Sequence, residues 1–223
     1  MGAPRDSART LHERTAMLNK VRPALGRVLT PIGRSVARTG LSPNAITLLG
    51  TAGVVAGALA FYPRGSYFWG TVVITAFVLF DMLDGAVARV TGKISKFGAF
   101  LDSTMDRVAD AAILAGLMIG LDRDGAGVLA ALALYCLVAG VVTSYAKARA
   151  EGLGYRCDVG IAERSERLII VLAATGLDGL GVPYVLAAGL WVLAALSTIT
   201  VGQRLATVWK QAREELPAAE SRR

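Results

Sequence analysis

Charge and histidine are both scarce in this chain of 223 residues. Charged residues make up 18% of it, and a single histidine, His12, stands beside two cysteines, Cys136 and Cys157. One histidine without a cysteine cluster argues against a zinc site. Cys136 falls within an apolar run and Cys157 in a segment expected on the cytoplasmic side, so both are expected to be free thiols in a reducing compartment. No internal repeat is present, and no low-complexity tract apart from a polar carboxy-terminal end. No cleavable signal peptide is visible either. The first long apolar run starts at Ala45 without a small-residue cleavage site, so the first span is expected to act as its own signal.

Apolar residues fill the space that charge leaves. They make up 54% of the chain, mean hydropathy is +0.51, and they come in long blocks separated by short charged segments. A helix needs about 20 such residues to cross the hydrocarbon core. Six runs are candidates, at 45–62, 67–90, 98–121, 127–146, 168–180 and 182–208, the fifth being the shortest. The pattern predicts an all-α polytopic membrane protein with six transmembrane helices. The expected organisation is an amino-terminal segment 1–43, one membrane domain 44–212 and a polar tail 213–223.

The net charge of +7 and pI near 9.8 do not point to nucleic acid, because the basic residues are sided. With six spans, the amino-terminal arginines, Lys93, Lys96, the group from Lys147 to Arg167 and the tail all fall on one side; Arg64 and Arg123 fall on the other. The positive-inside rule places both termini in the cytoplasm, in a multi-pass protein of the cell membrane. Ahead of the first span, Leu18, Val21, Leu25, Val28, Leu29, Ile32 and Val36 recur at helical spacing among arginines. This predicts an amphipathic juxtamembrane helix on the cytoplasmic surface of the lipid bilayer, divided or bent at Pro23 and Pro31. Tyr62, Tyr67, Phe68 and Trp69 cluster where an aromatic belt is expected at the outer interface.

The stretch FDMLDGAVARVTGKISKFGAFLDSTMDR, residues 80–107, sets four aspartates inside or beside apolar runs. Asp81, Asp84, Gly85, Ala88 and Arg89 share one helical stripe, as do Gly98, Asp102 and Asp106. A short connection makes the two helices antiparallel neighbours, so the carboxylates can meet near the cytoplasmic boundary. Unpaired, they would repel one another and resist dehydration; a divalent cation removes both problems. Carboxylate oxygens suit Mg²⁺ or Mn²⁺, and two such ions can hold both ends of a phosphoryl displacement. Gly85 leaves room for a ligand against the backbone, while Gly98 serves either that end or close helix packing.

The string Asp81-x-x-Asp84-Gly85-x-x-Ala88-Arg89, then Gly98-x-x-x-Asp102-x-x-x-Asp106, resembles the full signature of the CDP-alcohol phosphotransferase family, and the likeness covers nearly the whole chain. The resemblance implies transfer of a phosphatidyl group from CDP-diacylglycerol or a related donor to an alcohol, with release of CMP. It implies Asp81, Asp84 and Asp102 as ligands of two Mg²⁺ ions, with Mn²⁺ an alternative, and Asp106 as both metal ligand and base. Donor contacts carried over by position are Asn44, Ala45, Ile46, Thr47, Asp81, Gly85, Ala88, Arg89 and Ser95. Asn44 has a second reading as the amino-terminal cap of the first helix. A homodimer is implied in the same way. Asp110 continues the acid series and is expected to pair with Arg107 or to support the site from outside.

The acceptor must be sought beyond the signature. Arg167 adjoins Leu168, Ile169 and Ile170, and Arg204 lies between Val201 and Leu205; bases held so close to apolar chain suggest a bound anion. Lys147, Arg167 and Arg204 are the expected phosphate contacts, with Arg149 and Arg164 behind them. The segments SYAKARAE and ERSERLI resemble those of family members whose acceptor is inositol 1-phosphate; glycerol 3-phosphate is the competing acceptor. An intramembrane prenyltransferase would want a second aspartate series like 102–106–110. A cation transporter would want its acids near the midplane.

Overall fold

The computed structural model describes Ser35 and residues 40–220. The expected juxtamembrane helix lies outside the described residues. Among those described there is no strand. In chain order the helices are α1 (Pro43–Phe61), a 3₁₀ turn (Tyr62–Arg64), α2 (Tyr67–Asp81), α3 (Leu83–Thr91), α4 (Lys96–Arg123), α5 (Gly127–Gly152), α6 (Arg164–Asp178) and α7 (Val185–Glu220).

Local chemistry sets the ends that matter. Ser42 caps α1: its Oγ accepts the Ala45 N–H at 3.2 Å, and Pro43, which has no N–H to lose, takes the first helical position. Asn44 is therefore not the cap, and its amide is released for other work. Ser95 caps α4 in the same manner, accepting the Gly98 N–H at 2.9 Å. Gly92 ends α3 in the left-handed conformation, at φ 68°, which lets the chain turn back toward α4. The span expected at 67–90 is two helices, parted at Met82.

Four segments are long and apolar enough to cross a membrane: Pro43–Arg64, Tyr67–Thr91, Gly127–Gly152 and Val185–Glu215. α4 carries the aspartate series and α6 is only 15 residues long, so both fall short on composition or length. Large apolar side chains point outward from several helices, with Trp69, Ile169, Trp191, Leu205 and Trp209 all at least 60% exposed. Such a surface suits lipid and would be costly in water.

The chain divides into two compact units. Among the described residues, one takes those up to Gly50 with Leu79–Ser103; the other takes Thr51–Val78 and those from Thr104 to 220. The first has a small core of Ile46, Leu83 and Val87, with Phe80 against it. The second has the large core, including Val54, Ile74, Ile113, Leu117, Leu190 and Leu193. In it, α4 approaches α1 backbone to backbone. A methyl on Gly116 would come 2.6 Å from the Ala58 carbonyl oxygen, and one on Gly120 would collide with the carbonyl of Tyr62. Four-residue glycine spacing of this kind is how membrane helices gain contact without a hydrophobic drive between them.

The aromatic cluster departs from expectation. Tyr62 and Tyr67 are buried, and only Trp69 is largely exposed. The phenols turn inward because each finds a partner there: Tyr62 Oη and Thr71 Oγ1 lie 2.9 Å apart, and Tyr67 Oη donates to Asp124 Oδ2 at 2.7 Å.

Candidate functional site

The first unit assembles most of the signature. Asp81 ends α2, Asp84 lies in the first turn of α3, and Asp102 lies on α4. Carboxylate oxygens of Asp81 and Asp102 come within 4.8 Å of each other. Asp84 is held at both oxygens. Thr47 Oγ1 donates to Oδ2 at 2.6 Å, and the Gly85 N–H makes a short bond to Oδ1. Thr47 is 3% exposed, so this hydroxyl serves the carboxylate in a setting that keeps water away.

Glycines make the space. A methyl on Gly50 would lie 2.9 Å from Asp81 Cβ and 3.0 Å from its Oδ1, so only glycine lets α1 pass this close to that carboxylate. A methyl on Gly98 would meet Ser95 Oγ at 3.1 Å and Asn44 Oδ1 at 3.4 Å, which brings those two polar side chains to one spot. Arg89 folds back over Gly85, its Nη1 reaching 3.4 Å from the position a methyl would take there. Ile46 is buried in the small core, whereas Ala45 and Ala88 are half-buried. Gly50 is absent from the signature, and no spacing rule points to it. Ser42 was legible as a cap from its place before a proline.

A hard divalent cation fits these donors. Two carboxylates within 4.8 Å supply oxygen ligands that one ion can bridge, and Asp84 is fixed by neutral donors in place of a competing cation.

In the second unit, Asp106 stands one turn beyond Asp102 on the continuous helix α4. Arg164 Nη1 contacts Asp106 Oδ1 at 2.9 Å, and Arg107 Nη1 approaches its Oδ2 at 3.6 Å. Arg164 Nε also reaches Asp110 Oδ1 at 3.2 Å. The partner of Asp110 is thus Arg164 and not Arg107, because the amino-terminal turn of α6 delivers a guanidinium between two carboxylates spaced i, i+4.

The remaining bases separate. Arg167 is only 8% exposed, and its hydrogen bond is a long one, 3.5 Å to the Gly140 carbonyl. It lines a cavity with Arg107 and Asp110, whose other walls include Leu114, Leu137 and Val171. Arg204, 7% exposed, donates from Nε to Val159 O at 3.0 Å and from Nη1 to Thr143 O in a short bond. Lys147 Nζ donates to Asp158 Oδ1 at 2.6 Å and lies 3.7 Å from Glu151. That donation holds the Asp158 carboxyl below the usual carboxylate range. Arg149 is exposed and takes no part in these contacts.

A sequence model described as CDP-alcohol phosphatidyltransferase matches residues 40–209. The chain is 50% identical over 208 residues to the phosphatidylinositol phosphate synthase of Streptomyces avermitilis, covering 89% of this chain and 85% of that protein. Identity to the phosphatidylinositol phosphate synthase of Mycobacterium tuberculosis is 49% over 194 residues, covering 84% and 88% respectively. The crystal structure of that enzyme with CDP-DAG bound superposes with a TM-score of 0.77 at 49% identity, over 82% of this chain and 94% of the other. Its complex with manganese and citrate gives 0.75 at 48%, over 81% and 88%.

Proposed function

The chain belongs to the CDP-alcohol phosphatidyltransferase family, and from that premise we propose that it joins the phosphatidyl group of CDP-diacylglycerol to a hydroxyl of inositol 1-phosphate, forming phosphatidylinositol phosphate and CMP. The observation that carries the reading is the pair of signature carboxylates, Asp81 and Asp102, within 4.8 Å of each other on different helices. Relatives near 50% identity are phosphatidylinositol phosphate synthases, which favours inositol 1-phosphate over glycerol 3-phosphate.

Asp81, Asp84, Asp102 and Asp106 are the proposed ligands of two divalent ions, Mg²⁺ in preference to Mn²⁺. Such ions, when bound, supply positive charge to the pyrophosphate and make a nearby hydroxyl more acidic. Thr47 and the Gly85 amide keep the Asp84 carboxylate aimed, so its orientation is set before the donor arrives. Asn44, Ala45, Ile46, Gly85, Ala88, Arg89 and Ser95 bind the donor, with Thr47 acting through Asp84.

Asp106 accepts the acceptor's hydroxyl proton as that oxygen attacks the phosphatidyl phosphorus. The bond from this phosphorus to the bridging pyrophosphate oxygen breaks, and the oxygen leaves as part of CMP. Arg164, already paired with Asp106 and Asp110, orients the base. Arg167, Arg204 and Lys147 take the acceptor's phosphate, with Arg149 at the margin. Arg167 is the strongest of them: a guanidinium this buried with one long bond to a carbonyl gains most from an anion.

The membrane domain 44–212 has six spans, α4 and α6 completing the four that qualify on length and composition. Its termini and active site face the cytoplasm, and it works as a homodimer. The test is CMP release by detergent-purified protein from CDP-diacylglycerol with Mg²⁺, offered inositol 1-phosphate, glycerol 3-phosphate, inositol or serine. Inositol 1-phosphate is expected to give the highest kcat/KM. A preference for either neutral alcohol overturns the anion subsite.

A further inference from the structure

The connection from α5 to α6 has no regular structure over residues 156–162, yet side chains of α7 hold its main chain along its length. Gln211 accepts the Arg156 N–H at 3.0 Å and donates to the Arg156 carbonyl at 2.7 Å. Arg204 donates to the Val159 carbonyl at 3.0 Å. Gln203 accepts the Ile161 N–H at 3.1 Å, and Thr200 Oγ1 accepts that of Ala162 at 3.2 Å. Gln203, Arg204 and Gln211 lie three, four and eleven residues beyond Thr200, which puts all four on one face of α7. The face does for this strap what a neighbouring strand does in a sheet. Gly160 lets it lie so close: a methyl there would come 2.6 Å from Thr200 Cγ2.

The strap's fixed position matters at Asp158, which accepts from Lys147 and adjoins the Val159 carbonyl held by Arg204. Arg204 in turn reaches Thr143, one turn before Lys147 on α5. The same strap therefore registers both Lys147 and Arg204. We propose that Gln203 and Gln211 are positioning residues for the acceptor's phosphate, clamping the strap so that these two cations converge before the acceptor binds. The inference rests on the proposed reading of Lys147, Arg167 and Arg204 as phosphate contacts.

The chemistry of each bond supplies its own control. Gln203 only accepts, so Gln203→Glu keeps the bond and Gln203→Leu deletes it. Gln211 both accepts from and donates to Arg156, and its Nε2 also reaches the Thr207 carbonyl at 3.2 Å, so Gln211→Glu keeps one of its two bonds to the strap and Gln211→Leu keeps neither. Purified variants are assayed for KM toward inositol 1-phosphate and toward CDP-diacylglycerol, with hydrogen exchange read at the Arg156 and Ile161 amides. Gln203→Leu and Gln211→Leu are expected to raise the acceptor KM about five- to tenfold and to speed exchange in the strap. The donor KM and kcat stay near the parent values, and Gln203→Glu, which keeps the accepting oxygen, leaves exchange at the Ile161 amide like the parent's. Faster strap exchange with an unchanged acceptor KM overturns the proposal, as does an equal loss in both KM values and kcat. Should a leucine variant not purify, Gln211→Glu carries the comparison with a smaller expected rise, and an unchanged acceptor KM there counts against the clamp. If Lys147→Ala and Arg167→Ala leave the acceptor KM unmoved, it is the underlying phosphate subsite that fails.

Discussion

Replacing Thr47 by valine keeps the shape of a side chain only 3% exposed and removes the hydroxyl that donates to Asp84 Oδ2 at 2.6 Å. The carboxylate keeps its bond from the Gly85 amide and loses the one from this buried hydroxyl. A hydrogen bond to a charged group contributes about 1.5–3 kcal/mol. Part of that is spent on rotating the carboxylate away from its aim, since groups that orient a metal ligand typically cost about 10–100-fold in affinity when removed. Thr47→Val is therefore expected to weaken Mn²⁺ binding by about that range, measured by the loss of free-ion electron paramagnetic resonance signal on titration with protein. Thr47→Ser, which restores the hydroxyl, should recover most of it. Unchanged Mn²⁺ affinity in a folded Thr47→Val protein would refute the claim that this hydroxyl holds a metal ligand.

Gly50→Ala places a methyl 2.9 Å from Asp81 Cβ, an overpacking that costs about 1–3 kcal/mol; it should lower Mn²⁺ affinity at least as much as Thr47→Val while the helical circular dichroism persists. Arg167→Gln is expected to raise the KM for inositol 1-phosphate about 10–150-fold with little change in the KM for CDP-diacylglycerol, and Arg167→Lys should recover only part of it for want of the forked geometry. The Lys147–Asp158 pair has a pH signature. Because Lys147 depresses the Asp158 pKa, what the pair adds to folding is complete above the unfolded value of about 3.9 and is lost as pH falls through the lower folded value. Carboxyl ¹³C NMR should show the Asp158 titration moving up toward that value in Lys147→Met, and no movement would remove the pair from the account.

The nearness of Asp81 and Asp102 could be read in the sequence, for a physical reason. Aspartates in apolar runs are costly enough that Asp81, Asp84, Asp102 and Asp106 demanded a common partner, and their spacing already placed them on shared helix faces. The helices themselves were legible from apolar run length, though the break at Met82 was not. Contacts across long sequence separations were hidden: Thr47 on Asp84, Gly50 under Asp81, and Arg164 between Asp106 and Asp110 each depend on which helices become neighbours. Tyr62 and Tyr67 misled because an aromatic belt and a buried phenol with a partner look alike in sequence. The stripe Thr200, Gln203, Arg204 and Gln211 had helical spacing in plain view, but its first three members sit among the apolar residues of 182–208, which masked it as an ordinary span.

Anomalous diffraction from crystals grown with Mn²⁺ and CDP-diacylglycerol, collected at the manganese edge, would show whether Asp81 and Asp102 share a metal ion. A peak is expected about 2–2.3 Å from carboxylate oxygens of both Asp81 and Asp102, absent when Asp102→Asn is crystallised in the same way. Strong peaks confined to other residues, with the Asp81 and Asp102 carboxylates carrying none, would contradict it.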